Sequence, residues 1–595
     1  MRRLLLLCLI TIVPASAFAQ TVGYTVTMPK PTSSVLHVTM EVRGAMGASV
    51  DVAMPAWSPG AYSLHWAAKN VMALAASDGD GQPLETRQVD TSLWRIRPAA
   101  PLMRVRYQVY LGARGMDDEH LSFNGTRALL YLIGKAPYPT AGALTLNLQV
   151  PAGWKVATGL DQPQPGVFTA SDYDTLIDAP IEAGPNLEIL PFDDQGAHYD
   201  IAIRGTHDYD RAKLVTDVKR IVSEHVRMMG GPPYTRYVFF FTGTNTQSSG
   251  GLEHLNSTSI TFGRYAGHVS DAYNRFMFVV SHEFFHAWNV KRIRPAILGP
   301  FDYSKPQHTR NLYVSEGMTS YFASLGLVRS GVWDRLTFYA DLAKNIQELQ
   351  EQPGHLATSA EMSSFLTWNR PDNDANVMIS YYTKGQILGN MLDLDLRARS
   401  GNTRTLDDTF RTLSAEFGLP KPGFPEDGGF EAVIDRMAAQ GGAGGNYRTF
   451  FAKHVSGLEE IDYASFLAHV GLRLQIDRAA PVRSLGVTTR TENDRLVVSN
   501  VPPSGAGYDA GLMTGDVLLS MGDERVVPAT FAARVNVRQA GDRVTLQVMR
   551  GDRQVPVTLA LQEDRAPTYR VVEDAAAPDA AKRLRDQWLA PSLGK

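Results

Sequence analysis

The stretch Phe276-Met277-Phe278-Val279-Val280-Ser281-His282-Glu283-Phe284-Phe285-His286-Ala287-Trp288 decides how this chain is read. Its apolar residues describe a long, largely buried helix. Positions i and i+4 share one face of a helix, so His282 and His286 point the same way. Two imidazoles so placed can ligate one Zn²⁺, and Glu283 beside the first can reach a metal-bound water. Zinc lowers that water's pKa towards about 7, and a carboxylate takes its proton as it attacks a carbonyl. The bland alternative is a helix with two unrelated histidines. It leaves a buried His-Glu-His cluster uncompensated, which is costly.

A catalytic zinc usually has three protein ligands and one open position. The candidate third ligand is Glu316, in Val314-Ser315-Glu316-Gly317-Met318-Thr319-Ser320-Tyr321, a segment that also reads as helix. The 29 residues between His286 and Glu316 let the chain loop out and bring in a second helix. Loop-closure cost rises slowly with length, so this insert is no obstacle. Taken alone, Glu316 reads as a solvated acid in a first helical turn.

At 595 residues the chain is too long for one core, so three or four domains are expected. Its 44% apolar and 20% charged content is that of a soluble globular protein. A net charge of −3 leaves no basic footprint for nucleic acid. Residues 1–19 read as a secretory signal peptide: Arg2-Arg3, the apolar run Leu4 to Val13, then Ala17-Phe18-Ala19 for cleavage. That run is too short to span a bilayer comfortably, and no later segment qualifies, so an exported product, periplasmic or secreted, is expected. The single Cys, Cys8, falls inside the signal. The mature chain then has no thiol nucleophile, thiolate ligand or disulfide.

The fold expected is multidomain α+β. Residues 20–200 read as an N-terminal β-sandwich, with alternating runs such as Val35 to Val42, Met103 to Tyr110 and Leu144 to Val150. Residues 201–475 read as a catalytic domain, a mixed sheet followed by helices. Within it, Asp208 to Met229 is an amphipathic helix, Tyr237 to Phe241 a buried strand and Ser257 to Phe262 an edge strand. Strands return in residues 478–565, and 566–595 read as an Ala- and Pro-rich tail with one short helix near Ala580 to Trp588. His268 and His308 read as surface residues.

Several patterns coincide with a known family. His282-Glu283-Phe284-Phe285-His286 with Ser315-Glu316-Gly317 resembles the gluzincins, whose third zinc ligand is a Glu on a following helix. Their catalytic domain implies a thermolysin-like fold here. Gly250-Gly251-Leu252-Glu253-His254 resembles the exopeptidase motif of the large zinc aminopeptidases, with Leu252 for Met and His254 for Asn. Tyr382-Thr383-Lys384-Gly385 resembles their catalytic Tyr-x-Lys-Gly. The runs Trp57-Ser58-Pro59-Gly60-Ala61-Tyr62 and Trp288-Asn289-Val290-Lys291-Arg292-Ile293-Arg294-Pro295 are similar to the PDZ-bearing glycyl aminopeptidases. The resemblance implies one catalytic Zn²⁺ on His282, His286 and Glu316, with Glu283 as base. Glu253 would bind a substrate's free α-ammonium, with Gly251, Leu252 and His254 alongside. Tyr382 would donate to the developing oxyanion, with Tyr381 as its rival. Gly or Ala would be favoured at the N-terminus removed.

Ser484-Leu485-Gly486-Val487 and Ala510-Gly511-Leu512-Met513-Thr514-Gly515-Asp516 resemble a bacterial PDZ domain, whose loop amides hold a peptide's C-terminal carboxylate. An accessory domain that binds nothing is the alternative. Three readings stay open at this level: a zinc aminopeptidase, a zinc endopeptidase that does not need Glu253, and a PDZ-based binding protein with an inactive peptidase domain. The intact His282, Glu283, His286 and Glu316 weigh against the third.

Overall fold

The computed structural model describes residues 21–592 except 46, 134–143, 247–248, 443, 445, 479 and 566. The signal-peptide reading of residues 1–19 lies outside the described residues. The chain is multidomain and mixed α+β, with a β-rich N-terminal part, a helical middle and a C-terminal β domain. It divides into two compact units.

The first unit runs to Glu188 and includes two short excursions, 255–257 and 300–306. Its alternating runs form strands as read. Val35–Arg43 pairs antiparallel with Thr21–Thr27 on one side and Leu102–Tyr110 on the other. Leu144–Gln149 adds parallel to Thr21–Thr27. Period-two burial follows, and Leu36, Val38, Met40 and Val42 enter the core with at most 2% exposure. An eleven-stranded and a three-stranded sheet contribute to one core. Trp57 explains its own motif: its indole N–H donates to the Asp302 carbonyl at 2.8 Å, and Ala56 N–H donates to Tyr303 O at 2.8 Å. The Trp57 run is therefore the dock for the 300–306 excursion, a segment that linear reading assigned to the catalytic domain.

The second unit opens with a five-stranded sheet: β1 (Glu188–Asp194), β2 (Ala197–Arg204), β3 (Arg236–Thr244), β4 (Gly250–His254) and β5 (Ser257–Gly263). Between β2 and β3 lies α1 (Arg211–Met229), capped by the Asp210 side chain on Lys213 N–H and ended by Gly230 at φ 85°. β2 and β3 pair in parallel, as that intervening helix permits. The spatial order is β1-β2-β3-β5-β4. The edge strand is thus β4, and the expectation that Ser257 to Phe262 forms the edge is corrected: β5 lies between β3 and β4. Its burial pattern, with Ile260 and Phe262 inside, fits an interior position.

Helices follow: α2 (Ser270–Phe285), α3 (Thr319–Arg329), α4 (Arg335–Glu351) and α5 (Tyr381–Arg399). The segment before α3, Tyr313–Met318, is π-helical and wholly buried.

The C-terminal β domain has strands Thr488–Glu492, Arg495–Asn500, Val517–Met521, Arg543–Arg550 and Arg553–Ala560, with the helix Pro528–Asn536. Asp516, 1% exposed, takes a bidentate pair from Arg550 at 2.7 and 2.8 Å, which accounts for the Gly515-Asp516 turn signature. Residues read as a tail are integrated into the second unit. Pro567–Glu573 pairs antiparallel with Leu472–Arg478. Helix α6 (Asp579–Trp588) buries Trp588 completely, its indole N–H donating to Tyr321 Oη at 3.1 Å. Ser592 Oγ donates to the buried Glu224 at 2.7 Å. The short helix expected near Ala580 to Trp588 is present; what the sequence did not show is that one buried aromatic anchors it.

Candidate active site

Helix α2 and the turn after it position His282, Glu283 and His286. The helix ends at His286, and the following turn is strained: Val290, a β-branched residue, sits at φ 80°. That turn aims the Asn289 carbonyl at His286 Nδ1, 2.9 Å away. His286 Nδ1–H therefore donates to backbone and leaves Nε2 as a lone-pair donor. His282 is fixed in the same sense. Ser320 Oγ donates to the Glu316 carbonyl at 3.0 Å and lies 3.2 Å from His282 Nδ1, which donates to it. Both Nε2 atoms then face the same point.

Glu316 completes the set. His282 Nε2 and His286 Nε2 are 3.0 Å apart, and Glu316 Oε2 lies 3.4 and 3.2 Å from them. Ligands at about 2.0–2.1 Å around a tetrahedral Zn²⁺ stand about 3.3 Å apart, so the triangle has the size of such a site. All three residues are buried, with 6%, 1% and 2% exposure. Charge behaves accordingly. Burial disfavours the His286 cation, but Glu316, Glu253 and Glu283 outweigh it and push the imidazole up to about 10. Burial, with the His286 charge adding to it, pushes His282 down despite Glu316. Burial also opposes ionisation of Glu316, yet His286 and His282 hold it well below the usual carboxylate range. A proton on His286 thus balances Glu316 where a cation fits.

The π turn holds Glu316 inward, and two features that sequence reading missed hold the π turn. The Asn289 side-chain amide donates to Val314 O at 2.8 Å, Ser315 O at 3.1 Å and Thr319 Oγ1 at 2.9 Å. One residue therefore orients His286 through its carbonyl and Glu316 through its side chain. Asn289→Ala is expected to weaken metal affinity or activity by about 10–100-fold. Competition with a fluorescent zinc chelator measures it, and an unchanged affinity would remove Asn289 from the scheme. The second feature is a glycine pair. A Cβ on Gly317 would meet Gly385 Cα at 2.4 Å, and one on Gly385 would meet Tyr313 O at 2.6 Å. Only glycines let the π turn lie directly on α5, which carries Tyr382 at its first turn.

Glu253 reaches the same place from β4. Glu253, Glu283 and His286 each bring one ligand-type atom within 4.8 Å of the others. Glu253 is 4% exposed, and among the described residues neither its Oε1 nor Glu283 Oε2 has a hydrogen-bond partner. Burial pushes Glu253 up, to about 7, against the attraction of His286 and Lys291, and pushes Glu283 up further. Gly251 permits the approach, because a Cβ there would meet the Glu283 carboxyl carbon at 2.4 Å.

A cavity of about 600 Å³ opens in front of His282, Glu283 and Glu316, lined also by Gly250, Gly251 and Tyr382; Glu253 is not among its lining residues. Tyr382 is 38% exposed with its ring 5.9 Å from that of His282. Tyr381 is 7% exposed, does not line the cavity, and has its hydroxyl 3.2 Å from Thr367 Oγ1. The two rings stack at 4.7 Å, so the rivals are told apart by which one faces the cavity. Leu252 and His254 do not line it: Leu252 O accepts from Thr258 Oγ1 at 3.1 Å, and His254 is 2% exposed. His268 is exposed beside Asp208, as expected, whereas His308 is half-buried with Nδ1 2.9 Å from Phe365 O. In the C-terminal domain, the Gly486 amide of the Leu-Gly-Val loop donates to Ser484 Oγ at 2.9 Å, so that amide is already engaged.

Comparison with known proteins follows the same lines. Residues 275–388 match the M61 glycyl aminopeptidase model, residues 23–185 the peptidase M61 N-terminal domain and residues 484–561 a PDZ domain. A crystal structure of an aminopeptidase N family protein from Idiomarina loihiensis superposes with a TM-score of 0.87 at 26% identity, over 96% of this chain and all of that one. An M1 zinc metallopeptidase from Deinococcus radiodurans aligns with a TM-score of 0.43 at 15% identity, over 71% of this chain and 93% of that one. Comparison with curated proteins gave no match. Fold and site together define a peptidase. The chain carries regions that match the catalytic and N-terminal domains of the M61 glycyl aminopeptidases, followed by a PDZ domain.

Proposed function

We propose that the protein is an exported zinc aminopeptidase that removes N-terminal residues from peptides, with Gly and Ala favoured by family likeness. The observation that carries the exopeptidase part is Glu253, a buried carboxylate beside Glu283 with one oxygen that has no partner among the described residues. A buried acid so placed is costly, and a free α-ammonium offsets the cost. An acylated N-terminus brings no charge there.

His282, His286 and Glu316 fit one Zn²⁺ by donor type, spacing and outer hydrogen bonds. When bound, the ion supplies Lewis-acid polarisation of a carbonyl and acidification of a water towards a pKa of about 7. Glu283 takes the proton from the attacking water and returns it to the leaving amine. Tyr382, facing the cavity, donates its hydroxyl to the oxyanion. Gly250 and Gly251 on the edge strand present backbone groups along which a peptide lies extended.

The raised His286 supports a further expectation. Near neutral pH, zinc binding releases about one proton per site, the one His286 otherwise holds. Calorimetry in buffers of different ionisation enthalpy reads this number, and zero release contradicts the charge balance described. The aminopeptidase reading itself is tested by Glu253→Gln. This variant is expected to lose most of its kcat/KM on free-N-terminus peptides and little on N-acetylated ones. Equal loss on both, or cleavage of acetylated peptides by the native protein, favours an endopeptidase. The PDZ domain's peptide-binding role is supported by its family alone, and the engaged Gly486 amide leaves fewer donors for a terminal carboxylate.

A further inference from the structure

We propose that Arg275, assisted by Lys344, reads a carboxylate on the leaving side of the substrate, so that short peptides with a free C-terminus are preferred. This rests on the aminopeptidase reading and adds a substrate class to it. Arg275 lies on α2, seven residues before His282, and lines the same cavity as His282 and Glu283. Two helical turns place its Cα about 10.5 Å along the axis from that of His282. It is exposed, and it has no hydrogen-bond, ion-pair or ring partner among the described residues. Lys344, across the cavity on α4, has a 60% exposed side chain whose nearest acid is Glu348 at 3.5 Å.

The other charged groups facing this region are accounted for. Asp341 accepts from Ser324 Oγ at 2.7 Å and Gln386 Nε2 at 2.7 Å. Asp271, in the first turn of α2, lies beyond ion-pair distance of Arg275. Arg275 therefore stands without a counter-ion among the described residues, Lys344 being matched by Glu348, while the carboxyl groups of Glu283 and, within 4.8 Å of it, Glu253 lie at the His282 end. A peptide zwitterion is polarised in the same sense. Its ammonium is drawn to Glu253 and its carboxylate to Arg275. An extended residue spans about 3.4 Å, so two or three residues beyond the scissile bond bring a terminal carboxylate to the level of Arg275. The guanidinium fork suits a carboxylate bidentately. Tri- and tetrapeptides are the substrates this geometry selects.

The test compares Ala-Gly-Gly with Ala-Gly-Gly-amide on the full-length zinc-loaded protein. The native protein is expected to favour the free acid by about tenfold in kcat/KM, the effect of one charged hydrogen bond. High salt is expected to reduce that ratio, and Arg275→Met to bring it close to one. Equal rates on acid and amide in the native protein overturn the proposal without needing any variant to fold, as does a ratio that survives in Arg275→Met, Lys344→Met. Chelator-sensitive release from Ala-p-nitroanilide, which carries no carboxylate, separates the two levels. If it persists while acid and amide are equal, only the Arg275 proposal fails. If it is absent, the aminopeptidase reading and this proposal fail together.

Discussion

Glu283→Gln is expected to lower kcat by about 10²–10⁴-fold, the range for loss of a general base, with metal content unchanged. The substitution keeps size and shape in a buried position, so folding is spared. It touches none of His282, His286 or Glu316. What it removes is the proton acceptor. Glu283 is suited to that role because burial raises it above an ordinary carboxylate, with Glu253 and Glu316 adding like charge. Among the described residues, its Oε2 has no partner to compete for the incoming proton. Purified variant and native protein are compared by elemental analysis and by steady-state hydrolysis of Ala-p-nitroanilide. A variant within a few-fold of native assigns the base elsewhere. A variant that has lost its metal makes the result structural rather than chemical.

Tyr382→Phe is expected to lower kcat by about 10²–10³-fold with KM little changed, the effect of losing one oxyanion donor. Tyr381→Phe is expected to act mainly on stability. The two residues are adjacent and stacked, yet one faces the cavity and the other is buried with its hydroxyl on Thr367. Loss of a neutral hydrogen bond of that kind costs about 1 kcal/mol, readable by thermal unfolding. The reverse pattern, a catalytic defect in Tyr381→Phe alone, exchanges their roles.

What was legible in the sequence follows the range of the interactions involved. His282, Glu283 and His286 are fixed by the periodicity of one helix, and the alternating strands of both β-rich parts by the pleat. Glu316 was legible only through the Ser-Glu-Gly pattern, since its segment reads as an ordinary helix start and folds as a π turn. The residues that hold it were not legible. Asn289 acts across 25 to 30 positions, and the Gly317–Gly385 approach spans 68. Nothing local marks a glycine as the point where two backbones touch. The 255–257 and 300–306 excursions and the docking, though not the existence, of the helix ending at Trp588 escaped for the same reason, as did β5's interior position. Strand order is a property of pairing partners, not of a strand's own residues. Leu252 and His254 were carried by motif position, and the structure places neither against the cavity.

The most direct measurement takes the purified protein, determines its zinc content, and assays Ala-p-nitroanilide and N-acetylated peptides with and without a chelator. One zinc per chain, with chelator-sensitive release from free N-termini only and restoration by added Zn²⁺, is the result this account predicts. Chelator-insensitive release, or cleavage of acetylated peptides at comparable rates, would contradict it.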